Sequence, residues 1–287
     1  MSQVKDRIIA VAGEIEQKAC EAEVAIRVAL DSESNWESDY ADQYSYITPM
    51  YRDYIQGWPD IEHAVEYVKE LNRLAPVSSE VGSVPIGILD GKVMSHPMAA
   101  YSDLQNWESD AARDFRQSFL MEFADIAENQ VAVVAQLGAA LDAHRKLYER
   151  AYEDIETIAV TTRDALHDIA STGAAAKRDL FFSILTLSIS MDGARAGGLA
   201  ALNYSISVGD KVSSQYPNLG GEFPSDVVAS MEGAIGALTG SIDLRKDEIV
   251  RFLEANVDFV RENPAEFRHP RPAIADDGSA IGPPPSL

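Results

Sequence analysis

Between Pro97 and Pro217 the chain contains no proline, and inside that span apolar residues keep returning at helical spacing. Phe115, Phe119, Phe123, Ile126, Val134, Leu137, Leu141, Tyr148, Tyr152, Ile155, Leu166 and Ile169 lie three or four residues apart, or at multiples of those steps, the period of one helix face. The residues between are chiefly Glu, Asp, Gln, Arg and Ala, all tolerated in helices. The pattern predicts one rod from Asp103 or Ser109 onward. About 60 residues would make it on the order of 90 Å long. Such a rod cannot cover its own apolar edge, so it must pack along other long helices or across a subunit boundary.

The flanking sequence supplies candidates. Val4 to Leu30 reads as a helix through Val4, Ile8, Val11 and Ile15, until Ser32, Ser34 and Asn35 break it. Trp36 to Trp58 is aromatic-rich; Pro49 interrupts it, and Gly57 and Pro59 close it. A further helix is expected from Pro59 to about Leu74. Pro76 to Pro97 is irregular, with Ile86–Leu89 and Lys92–Met94 able to pair around Asp90-Gly91 as a small hairpin. Thr172-Gly173 bends or ends the rod, and Ala174 to Met191 resumes it. Leu185–Met191 and Tyr204–Val208 also alternate like strands; their flanks favour helix, and a β-tongue stays open. Ser225 reads as the N-cap of a last helix to about Glu262, its inward stripe running through Val228, Met231, Ile235, Leu238, Ile242, Ile249, Leu253, Val257 and Val260. After Pro264 the proline, glycine and charge content predicts disorder. The expected architecture is therefore all-α: a bundle of long antiparallel helices with one very long central helix, a small irregular or β insertion, and a disordered tail. Its divisions are an N-terminal helical segment (1–75), a linker or hairpin (76–97), the long-helix bundle (98–263) and the tail (264–287).

Composition narrows the function classes. Lys and Arg number 24 against 46 Asp and Glu, a formal charge of −22. That balance argues against nucleic acid and against an anionic bilayer, which reward cationic surfaces. Cys20 is the only cysteine, which rules out an internal disulfide and a cysteine-rich zinc site. Lys5, Asp6, Arg7 and Glu14 interrupt the first apolar residues, so no cleaved leader is expected. The run Leu180 to Met191 falls short of the roughly 20 residues that span a bilayer. No glycine-rich phosphate loop, His-Glu-x-x-His or Gly-x-Ser-x-Gly elbow occurs. Asp164-x-x-His167 lacks partner carboxylates at a matching rhythm. No enzyme activity and no cofactor or metal are expected.

The pentapeptide Asn-Trp-Glu-Ser-Asp occurs twice, at Asn35–Asp39 and Asn106–Asp110, each time at the mouth of a helical pattern. Leu104, Trp107-Glu108-Ser109, Ala111, Ala112 and Phe115, followed by a long amphipathic helix, resemble the Trp-X-Gly family exported by type VII (ESX) secretion. Tyr152-Glu153-Asp154-Ile155-Glu156 is similar to that family's Tyr-x-x-x-Asp/Glu signal. Serine stands at position 109 where the family has glycine, and Trp36 with Ser38 forms a second copy of the turn. The resemblance implies a helical hairpin turning at Trp107 and Ser109. It also implies a signal of Tyr152 and Glu156, one turn apart on one face, read by a secretion ATPase or chaperone. Secretion without a cleaved leader follows from it, with a protein partner or further copies of the chain engaged through long helices. From the residues alone, both tryptophans are also simple anchors at helix starts, with Ser38, Asp39, Ser109 and Asp110 as caps. A cytoplasmic helical scaffold and an α-helical pore-forming protein inserting Leu180–Val208 are the other functional expectations.

Overall fold

Ile8, Ala12, Ile15, Ala19, Ala22 and Ile26 step alternately by four and three residues, and all six are buried on helix α1 (Ser2–Leu30). That alternation is the seven-residue repeat of a coiled-coil seam. The computed structural model describes residues 2–30, 42–59, 63, 66–67, 99–106, 109–173, 187–190, 205–208 and 223–268. Among these it is built of packed long helices. The expected hairpin at 86–94, Trp36, Ser38 and Trp107 lie outside the described residues, as does most of the helix expected after Pro59.

Helix α2 (Ile47–Gln56) buries Ile47, Tyr51 and Ile55. Pro49, expected to interrupt this region, instead stands in the first turn of α2. Amide groups there have no intrahelical acceptor, so a proline costs nothing in hydrogen bonding. The neighbouring Thr48 N–H is satisfied from outside, donating to Glu16 Oε1 of α1 at 2.6 Å.

The rod is present. Helix α3 (Asp110–Asp114), a π-helical turn (Phe115–Leu120) and α4 (Met121–Thr172) follow without a break, so the backbone is helical from Asp110 to Thr172. The wider π turn brings side chains four apart nearly into line. Phe115 and Phe119 accordingly stack at 5.0 Å between centroids, 18° from parallel. Gly173 ends the rod in a left-handed conformation (φ 59°), its N–H donating to the Ile169 carbonyl at 2.9 Å, a glycine C-cap.

Beyond it, β1 (Leu187–Ser190) pairs with β2 (Ser205–Val208). The helical continuation favoured by the flanks gives way there to strands, because the alternating Ser and Ile or Leu match a period of two. Helix α5 (Pro224–Glu262) starts two residues earlier than a cap at Ser225 implies. Ser225 lies inside its first turn and is not the cap; Asp226 Oδ2 reaches back to accept the Phe223 N–H at 3.3 Å. The expected disorder after Pro264 fails at its near end. A 3₁₀ turn (Pro264–Glu266) carries Phe267 to a buried position beside Val133, Phe259 and Val260. Asn129 and Gln130 side chains donate to the Glu266 and Phe267 carbonyls at 2.9 and 2.8 Å.

The chain divides into two compact units, each assembled from discontinuous stretches. The first comprises Met1–Val65, Ala143–Ser188 and Val208–Glu248. Its core joins the α1 seam to Ile47, Tyr51 and Ile55 of α2, to Tyr148, Tyr152, Ile155, Ile158, Leu166 and Ile169 of α4, and to Met231, Ile235 and Leu238 of α5. Arg7 pairs with Glu156, and seven residues later Glu14 pairs with Arg163, so α1 runs parallel to this part of α4. The expectation of antiparallel helices fails for that pair. It holds for α4 against α5 in the second unit.

The second unit comprises Glu66–Asp142, Ile189–Ser207 and Ile249–Leu287. There Asn129 and Gln130 of α4 donate to the 266–267 carbonyls, and Val133 of α4 packs with Phe259 and Val260 of α5 around Phe267, an antiparallel order. Ile126, Ala127, Ala140, Ile249 and Phe252 are buried, but so are Gln136 and Asn256. By the same register these two amides occupy one level. The stripe read from the sequence put Leu137 and Val257 inward; both are instead exposed, at 41% and 47%.

Candidate functional site

Tyr152 and Glu156 stand one turn apart on α4, as their spacing requires, and α1 meets both. The Tyr152 ring is 3% exposed. It packs edge-on against Trp58, with centroids 4.6 Å apart at 71°. Trp58 also contacts Tyr54 at 5.1 Å and Tyr148 at 5.8 Å, and His144 extends the cluster to Tyr148 at 5.0 Å. Edge-to-face geometry is the arrangement that ring quadrupoles favour. The Lys5 ammonium sits 5.8 Å from the Tyr152 centroid, within cation–π range. The Tyr152 hydroxyl is buried with no hydrogen-bond partner among the described residues, so burial of the ring, not its polar tip, holds it.

Glu156 is gripped by a fork: Arg7 Nε lies 2.6 Å from Oε1, and Nη2 donates to Oε2 at 2.7 Å. Arg7 is 59% exposed, so the pair contributes at most about 1 kcal/mol. Its role is register. Tyr44 donates to the buried Glu23 of α1 at 2.8 Å, and Tyr46 donates to Glu232 of α5 at 2.5 Å, so the segment leading into α2 is tied to two helices. Loss of water around the ring, then the Glu232 partner, pushes the Tyr46 hydroxyl up to about 12. Burial raises Tyr54 and Tyr148 and lowers His144, the last helped by Lys246.

Ser109 is a helix cap. Its Oγ accepts the Ala112 N–H at 3.2 Å, and its carbonyl accepts the Arg113 N–H at 3.0 Å, satisfying two amides that an uncapped start would leave open. Asp110 adds a carboxylate to the first turn and pairs with Arg113 at 3.2 Å. The structure thus unites Tyr152 with Glu156, and places Ser109 separately at the head of the rod.

Trp58, Arg7 and Lys5 escaped the sequence reading as partners of this site. A signal existed. Arg7 and Glu14 lie one heptad apart with opposite charge, as do Glu156 and Arg163 with the order reversed, the mark of two parallel helices in register. Among the described residues no three His, Cys, Asp or Glu side chains converge as a metal site would require. What the cluster offers is an aromatic and ionic junction between helices. No family model, no curated protein and no solved structure matches this chain.

Proposed function

We propose that this chain is a non-enzymatic, type VII-associated secreted or helper protein that acts by packing its long helices against a protein partner or further copies of itself. One observation carries the reading. A helix unbroken from Asp110 to Thr172 opens immediately after Trp107-Glu108-Ser109 and carries Tyr152 and Glu156 on one face. Export without a cleaved leader, through a secretion ATPase or chaperone, goes with that reading. In the folded chain a reader would meet the edge of Glu156 but not the Tyr152 ring, so recognition requires the α1 start, with Lys5 and Arg7, to release the pair. The test is an export assay in a host with the secretion system. Glu156→Ala and Tyr152→Ala are expected to abolish export, while Trp58→Ala, which uncovers the Tyr152 ring but leaves both signal residues in place, retains it. Export unchanged in both signal variants overturns the reading.

A second reading, a pore-forming protein, is favoured by the β1–β2 pair between two long helices. Helix α5 adds to it, being long and apolar enough to cross a membrane, with 39% of its apolar stretch buried. Dye release from liposomes by the soluble protein would support it, and its absence over a range of pH would sink it.

A further inference from the structure

In the second unit, α5 carries two apolar faces. One, through Ile249 and Phe252, is buried. The other, Val250, Leu253 and Val257, lines an open groove of about 480 Å³ together with Glu254, Asp258 and Arg261. Val250 is 50% and Val257 47% exposed. In an antiparallel pair, stepping one residue onward from the seam turns both side chains to the same face. Leu137, one beyond Gln136, therefore shares a face with Val257, one beyond Asn256, and widens the apolar strip.

The charges beside this strip select its occupant. Asp247, Arg251, Glu254, Asp258 and Arg261 are all exposed on α5 and spaced four, three, four and three apart. Their signs read −, +, −, −, +. Laid against itself in reverse, centred on Glu254, the series sets Asp247 opposite Arg261 and Arg251 opposite Asp258, each twice by symmetry. Only Glu254 meets its own kind. Laid in the same direction about a two-fold axis, the two rows fall on opposite faces of the pair, and no charge gains a partner.

We propose that the groove of Val250, Leu253 and Val257 receives the same groove of a second copy, the two α5 helices antiparallel about a two-fold axis near Glu254. The interface is isologous, as two-fold dimers require. A few turns of helix lie at the small end of the interface range, so the dimer is reversible and of micromolar affinity or weaker. The proposal deepens the self-packing half of the function above and does not depend on export.

Sedimentation equilibrium of the full chain, from micromolar to millimolar concentration, tests it. The wild type is expected to pass from monomer to dimer. Val257→Glu is expected to abolish dimerisation with helical content unchanged by circular dichroism. Arg251→Asp is expected to weaken it about tenfold, and Arg251→Asp with Asp258→Arg to restore it. A wild type monomeric at the highest concentration overturns the proposal. So does a dimer indifferent to Val257→Glu, or a double variant no tighter than the single; export by the same variants reports separately on the secretion reading.

Discussion

The two compact units use stretches of the same two helices, α4 and α5, yet their seams differ in quality. In the first, the α4 and α5 stripes meet α1 and α2 in one large aliphatic and aromatic cluster, beside which Glu23, Asp154 and Thr162 are also buried. Thr162, fully buried at a heptad position, returns its hydroxyl to the Ile158 carbonyl at 2.8 Å. In the second, Gln136 and Asn256 enter at one level, and both polar atoms of the Asn256 side chain are buried without a hydrogen-bond partner among the described residues. Met121, Leu137, Val250 and Val257 remain exposed there. A seven-residue repeat thus fixes that helices pair. How dry the seam becomes depends on how many further elements contribute side chains to it.

The largest test of this contrast removes the half-buried cover or a buried member of the better seam. Trp58→Ala is expected to destabilise the protein by about 3–5 kcal/mol, and Ile155→Ala by about 2–5 kcal/mol, read as the midpoint of denaturant unfolding. A smaller change of opposite sign is expected in the second unit. Asn256→Leu removes an unsatisfied buried amide and should stabilise by about 1–3 kcal/mol; a loss would mean that the amide has a partner. Ser109→Ala, which deletes the cap at the head of the rod, should cost about 1 kcal/mol.

A pH series sharpens the comparison further. Burial lowers the His144 pKa below its ordinary 6.5, so the folded state resists protonation. The stability tied to that depression is present above pH 6.5 and is lost as the pH falls through the lowered folded value. His144→Gln should flatten that part of the acid limb relative to wild type, as followed by thermal unfolding. The smallest effect belongs to the exposed stripe. Val257→Ser in the dilute monomer should change stability by no more than about 0.5 kcal/mol, because the side chain already faces water.

Much of the framework was legible beforehand. The rod, its glycine stop at Gly173, the first helix and the end of the last at Glu262 follow from apolar period and from proline and glycine placement. Local errors had local causes. Pro49 and Ser225 were assigned by residue type, whereas one turn of offset decides whether a proline breaks a helix or opens it. Phe267 was overlooked because a single aromatic side chain in a proline-rich tail leaves no period to detect.

The sequence by itself determined which segments are helical and that their edges must be covered, because a hydrophobic repeat and helix punctuation act over a few residues. Only the tertiary structure decided that α1 runs parallel to α4, that Trp58 and Arg7 cover Tyr152 and Glu156, and that Gln136 and Asn256 face inward where Leu137 and Val257 were expected. Those choices depend on partners tens to hundreds of residues away. At each level the side chain that turns inward is set by the space its neighbours leave, and no local period records that space.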